Sequence, residues 1–138
     1  MLTQTSNTHS ALHKGRAVVA QINPQLEEFL NEKYGDWIPE FSESLVEWAY
    51  GRHYARAGLD LKTRQLCTIA ALTVLGGQTG PQLKVNIEHT LAAGANKQEV
   101  LEAIWQMAVY GGLPAAINGL NAAIEVFEEQ QEQTDAAS

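Results

Sequence analysis

The sequence predicts an all-α fold, a compact bundle of about six or seven helices. Three observations carry that expectation. First, two long stretches, 65–83 and 103–124, hold no charged residue, yet each is broken by glycine and proline: Gly76-Gly77 and Gly80-Pro81 in one, Gly111-Gly112 and Pro114 in the other. Those breaks exclude a membrane span, so such apolar helices need burial on almost every side. Second, apolar residues recur at helical spacing, as in Leu83, Ile87, Leu91 and Gly94, or Ile117, Leu120, Ile124 and Phe127. Third, helix-start signatures precede the apolar runs and no segment alternates as a strand would.

Taken in order, a modest helix covers 11–21, and Pro24 opens a second through 26–35, because proline suits a first helical turn. A third runs from about Pro39 to Arg56, with Phe41, Leu45, Trp48 and Tyr50 on its apolar side, and stops near Gly58. Asp60 is placed to cap the most apolar helix, Leu61 to Leu75, which Gly76-Gly77 ends. The next helix follows Pro81. Asn96 with Glu99 three residues later forms a capping-box pattern before Val100, Leu101, Ile104, Trp105 and Ala108. The last helix starts near Pro114. Residues 1–10 and the acidic tail 128–138 are poor in apolar residues and are expected to be disordered, leaving a single domain over 11–127.

Bulk properties narrow the function classes. The chain has 138 residues, a net charge of −7 and a pI near 5.0. That charge disfavours nucleic acid and anionic membrane as partners, both of which require a positive surface. One cysteine, Cys67, permits no intramolecular disulfide, zinc cluster or dithiol redox pair. The polar N-terminus has no apolar signal core, so a cytoplasmic location is expected. The glycine pairs lack the βα context of a phosphate loop, and no His or carboxylate pair shares a clearly apolar face, so neither a phosphate-binding loop nor a metal site is expected.

The segment Gly51 to Phe127 resembles the carboxymuconolactone decarboxylase family, whose wider group includes the alkylhydroperoxidase D-like thiol peroxidases. The matching pieces are Gly51, Arg56, the run GLDLKTR from Gly58 to Arg64, the alanine-rich IAAL, Gln82-Leu83-Lys84, LAAGANKQEV and VYGGLPAAIN, in order over more than half the chain. The resemblance implies an alkylhydroperoxidase D-like fold. For the decarboxylase branch it implies cofactor-free removal of CO2 from a lactone dicarboxylate in aromatic-acid breakdown, usually by a hexamer. The peroxidase branch uses a Cys-x-x-Cys pair with a Glu and a His; those cysteines fall near Gly77 and Gly80 here. The family glutamate corresponds to Gln65 and the family histidine to Asn86, so two proton-transfer groups are replaced by amides. An amide can donate and accept hydrogen bonds but is no general acid or base near neutral pH.

Against that background each candidate has two readings. His89 shares a helix flank with Asn86 and could replace the missing imidazole, but a helical projection places it off the apolar stripe, at a surface or interface; Glu88 projects to solvent. Arg52, His53 and Arg56 form the one locally cationic patch in the sequence. They either receive an anionic ligand or form a solvated helix end whose charge suits the C-terminal dipole. Arg64 suits a structural ion pair. Cys67 reads as a small buried hydrophobe rather than a nucleophile. Tyr110 and Asn118 either bond a ligand or satisfy backbone at a helix break.

The expectation is a homo-oligomer (dimer, trimer or hexamer) that binds a small organic anion. As a lyase it would use Arg56, Arg52 and His53 for the carboxylate, Gln65 and Asn86 for orientation, and His89 for the proton. The alternatives are a degenerate thiol peroxidase acting through Cys67 and a non-catalytic binding or assembly module.

Overall fold

The computed structural model describes residues 10–137, and every element in it is helical. The order is α1 (Ala11–Ile22), α2 (Leu26–Tyr34), α3 (Phe41–Leu45), a π-helix (Val46–Tyr54), α4 (Leu61–Leu75), a 3₁₀ turn (Gly77–Thr79), α5 (Gly80–Ala92), α6 (Lys97–Gln106), α7 (Ala108–Gly111) and α8 (Leu113–Ala137). Because α3 runs directly into the π-helix and α6 into α7, the described residues form seven separate helical rods. None of these helices is long and apolar enough to cross a membrane. The described residues fall into two compact units, one through Leu61 and one from Lys62.

In the first unit Ser10 caps α1 by accepting a hydrogen bond from His13 N at 3.0 Å. Ser10, expected to be disordered, is thus ordered as a cap; the rest of that expectation, residues 1–9, lies outside the described residues. Gly15 of α1 and Gly51 of the π-helix sit where the two backbones cross. A Cβ on Gly15 would run into Val46 O, and one on Gly51 into Ala11 O. Only glycine permits that approach. The stretch expected as one α-helix from Pro39 to Arg56 instead begins at Phe41 and widens into the π-helix from Val46. Arg16 holds Glu27 with two parallel bonds of 3.0 and 3.1 Å, joining α1 to α2.

The second unit is built around Ile69 of α4, Leu83 and Ile87 of α5, Val100 and Ile104 of α6, and Ala122, Ala123 and Val126 of α8. The Asn96–Glu99 capping box forms as its spacing predicts, and Lys62 reaches Glu99 at 2.8 Å. Thr79 Oγ1 donates to Leu72 O at 2.6 Å and reaches Gly76 O at 2.8 Å, closing the end of α4. In α8 the buried line consists of small residues, Ala116, Gly119, Ala123 and Val126, while Ile117 and Ile124 are exposed. A Cβ on Gly119 would come within 2.7 Å of Ile104 Cγ2. Helix α8 thus packs closely through its small side chains and leaves larger ones outside. The acidic tail, expected to be disordered, is helical through Ala137. Glutamate and glutamine are good helix formers, and Gln131 adds a bond to Asp135 one turn later at 3.0 Å.

Candidate functional site

Gln65 and Asn86 meet between α4 and α5. Gln65, Ile69 and Thr73 form the buried line of α4, and Gln65 is 0% exposed. Its Nε2 lies 3.4 Å from both Asn86 O and Asn86 Oδ1. Asn86 Nδ2 donates to Gln82 O at 2.9 Å, which turns Asn86 Oδ1 toward Gln65 and fixes the Gln65 amide with its nitrogen on that side. Thr90 Oγ1 reaches Asn86 O at 2.6 Å and Gln65 O at 3.5 Å, so both backbones are tied to one hydroxyl. Gln65 Oε1 is buried and makes no hydrogen bond among the described residues. A buried acceptor without a donor is costly, and such atoms concentrate at sites that bind something.

His89 corrects the helical projection. It is 2% exposed rather than at the surface. The projection assumes that α5 has one covered flank, but Leu83, Ile87 and Thr90 occupy one flank and His89 another, and all four are buried. Burial pushes the His89 pKa down to about 4, so the imidazole is neutral at pH 7. In that form it can accept a proton but supplies none.

The basic trio lies at the end of the π-helix in the first unit, with Arg52, His53 and Arg56 exposed. His53 Nδ1 sits 2.8 Å from Trp48 O, and the two rings meet edge to face at 4.8 Å. A carbonyl only accepts, so Nδ1 carries the hydrogen of this bond. Gln65, Asn86, His89, Tyr110 and Asn118 belong to the second unit. Arg64 is partly buried, and its carbonyl accepts from Thr68 Oγ1 at 3.0 Å. Cys67 is exposed, contrary to the expectation of a buried thiol, because the buried line of α4 passes on its other side. Glu88 is exposed as expected, and its pKa is raised, by desolvation first and by Glu129 second. Tyr110 is 75% exposed at the end of α7.

The second unit also contains a cleft of about 410 Å³ between the end of α4, the start of α5 and the middle of α8. Its walls are largely backbone and small side chains, with Gly76, Gly77 and Gly80 on one side and Ala115, Gly119 and Ala122 on the other. Polar groups come from Asn118 and Asn121, three apart and hence on one face of α8, and from Thr73, whose hydroxyl donates to Ile69 O at 2.7 Å. Asn118 Nδ2 points at the 3₁₀ turn, 3.7 Å from where a Gly77 Cβ would lie. The ionisable groups are Lys84 and Glu125. Lys84 Nζ lies 3.6 Å from Glu125 and 3.5 Å from Glu129. Desolvation works against its charge, but Glu129 and Glu125 outweigh it and the Lys84 pKa is raised.

Of the residues given a role in the sequence reading, only Asn118 lines this cleft, together with Gly77 and Gly80, where the peroxidase cysteines would fall; Gln65 and Asn86 are not in the lining. Lys84, Asn121, Glu125 and Thr73 were missed. The available signal was Lys84 immediately after the uncharged stretch, with Asn121 one turn after Asn118. Among the described residues no group of three His, Cys, Asp or Glu is placed to hold a metal ion.

The sequence matches the carboxymuconolactone decarboxylase family over residues 39–125. An uncharacterized 15.0 kDa protein from the nqo9–nqo10 intergenic region of Paracoccus denitrificans is 39% identical over 122 residues, covering 88% of this chain and 91% of that one. The 4-carboxymuconolactone decarboxylase of Acinetobacter baylyi is 33% identical over 71% of this chain and 72% of its own. The nitrosuccinic acid decarboxylase npaB of Metarhizium robertsii is 32% identical over 56% of this chain and 53% of its own. With the family match spanning more than half of the sequence, and the Paracoccus protein aligned along nearly its whole length, the chain belongs to the carboxymuconolactone decarboxylase family.

Proposed function

We propose that this protein is a cofactor-free lyase that decarboxylates a small organic carboxylate bound in the α4–α5–α8 cleft. The observation that carries the reading is the placing of one ammonium, Lys84, with two neutral amides, Asn118 and Asn121, in a cleft of substrate size. Decarboxylation without a cofactor requires an oxygen-bearing electron sink beside the departing carboxylate. The carbon–carbon bond breaks, its electrons pass to the sink oxygen as an enolate, CO2 leaves, and a proton returns to carbon. Amide N–H groups at Asn118 and Asn121 would stabilise that oxygen as charge develops, and Lys84 would return the proton. The relatives named as decarboxylases of 4-carboxymuconolactone and of nitrosuccinic acid favour this reaction class. The Arg52–His53–Arg56 patch of the first unit is a separate candidate for carboxylate binding, and the Gln65–Asn86 pair of the second unit a separate candidate for orienting a ligand.

The test is CO2 release from a panel of lactone and keto carboxylates. Wild-type protein should turn over at least one. Lys84→Ala and Asn118→Ala should each lower kcat/KM by roughly a hundredfold, the size expected for losing one stabilising donor. No turnover of any panel member, or turnover unchanged in both variants, overturns the proposal. Changes confined to His53→Ala and Arg56→Ala would move the site to the basic patch. A thiol-dependent activity is the second reading, favoured by the exposure of Cys67. Peroxide consumption that survives in Cys67→Ser removes it.

The assembly proposal rests on side chains left outside the second unit. Leu113, Ile117 and Ile124 follow one line of α8, Trp105 and Val109 lie one turn apart, and all are exposed. A homo-oligomer would bury them.

A further inference from the structure

We infer that Thr79 is a positioning residue for the α4–α5–α8 cleft: its hydroxyl clips the turn that forms the glycine wall, and so sets how a substrate meets Asn118 and Lys84. This role rests on the cleft being the reaction site. One wall of the cleft is the turn from α4 into α5, with Gly76, Gly77 and Gly80 in the lining. These three residues have no side chains with which to anchor themselves. Gly76 has φ +99°, and a Cβ there would meet nothing within 4 Å. Hydrogen bonds must therefore hold the wall. Gly76 N donates to Thr73 O, three residues back, and Thr79 N donates to Gly76 O, each at 3.1 Å. In a regular α-helix Gly76 N would serve Leu72 O instead, so the tightened end leaves Leu72 O to another donor. Thr79 Oγ1 supplies it at 2.6 Å and lies 2.8 Å from Gly76 O. A hydroxyl has one proton, which these two carbonyls share. One side chain thus ties the far end of the turn back to α4.

The hydroxyl is committed to α4 at the expense of α5. Thr79 is the N-cap residue of α5, where a threonine oxygen commonly accepts from an N–H of the first turn. Here it makes no such bond. The first turn of α5 therefore starts without a side-chain cap, beside a cleft that Gly80, Leu83 and Lys84 help to line. Its positive dipole end adds to the Lys84 charge at that end of the cleft. Thr79 is not in the lining, so it reaches a bound molecule through the wall that it holds.

The test compares full-length wild type with Thr79→Val and Thr79→Ala, which remove the hydroxyl, and Thr79→Ser, which keeps it. All are measured well below their Tm. Hydrogen exchange needs no substrate and reports the clip itself. The Gly76 and Thr79 amides should exchange about fivefold faster or more in Thr79→Val and Thr79→Ala, and near the wild-type rate in Thr79→Ser. CO2 release, from a carboxylate of the panel that wild type turns over, reports the positioning. Thr79→Val and Thr79→Ala should lose at least about tenfold in kcat with a smaller change in KM, while Thr79→Ser stays close to wild type. A purely structural threonine would lower Tm and leave kcat of the folded enzyme unchanged. Exchange unchanged in Thr79→Val and Thr79→Ala overturns the inference, as does unchanged turnover beside faster exchange. A Thr79→Ser variant as slow as Thr79→Val overturns it too, because the hydroxyl would then not be the active part. A wild type that turns over no carboxylate of the panel refutes the lyase reading and takes the positioning role with it, whereas the exchange rates still decide whether the hydroxyl holds the wall.

Discussion

His89 shows how one buried side chain couples this fold to pH. Burial lowers its pKa from 6.5 to about 4. Between those values the unfolded chain binds a proton that the folded chain refuses, so stability is complete above pH 6.5 and declines as pH falls toward 4. A shift of that size corresponds to about 3 kcal/mol. Urea denaturation at pH 7.5 and at pH 4.5 should show the loss in wild type and much less of it in His89→Gln. Equal pH slopes in the two proteins would contradict a buried neutral imidazole. The sequence singled out Gln65 and Asn86 through the family pattern, and the structure brings the two side chains within 3.4 Å of each other. The burial of His89 was not, because a projection of one helix cannot show how many of its flanks other groups cover.

Helix α8 shows the same limit at the scale of an element. Its periodicity announced a helix, yet Ile117 and Ile124 ended outside and Ala116, Gly119 and Ala123 inside. A hydrophobic stripe marks the side a single chain would bury only if the partner surface is distant enough for large residues. Here Ile104 and Thr73 approach so closely that Gly119 is required. Gly119→Leu should therefore cost about 1–3 kcal/mol through overpacking, measured by chemical denaturation. A neutral result would mean the helices can separate at no cost. Gly51→Ala should be at least as damaging, because its Cβ meets the main chain at Ala11, which cannot rotate away. The π-helix around Gly51 was hidden for a related reason: its wider turn depends on a neighbouring backbone that no local pattern encodes. Capping signals fared better, since the Asn96–Glu99 box involves only residues four positions apart at most.

For the molecule as a whole, the all-α class was readable from the broken uncharged stretches, the helical spacing and the helix-start signatures, but the cleft was not. It arises where Gly76 after α4, Gly77 of the 3₁₀ turn and Gly80 of α5 face α8, and such convergence has no signature along the chain. The exposed line of Leu113, Ile117 and Ile124 leads to a prediction at this scale. Light scattering at micromolar concentration should give a dimer or larger species, and Ile117→Glu with Ile124→Glu should shift it toward monomer; a wild-type monomer would reject the interface. The bare wall at Gly77 and Gly80 has a different consequence. A Cβ at Gly80 would meet nothing within 4 Å, and one at Gly77 only Asn118 Nδ2 at 3.7 Å. New functional groups can thus be grafted there without moving the scaffold. Gly77→Cys/Gly80→Cys should fold with a Tm within a few degrees of the parent and titrate two additional thiols, so a change of chemistry in this architecture needs only a pair of substitutions.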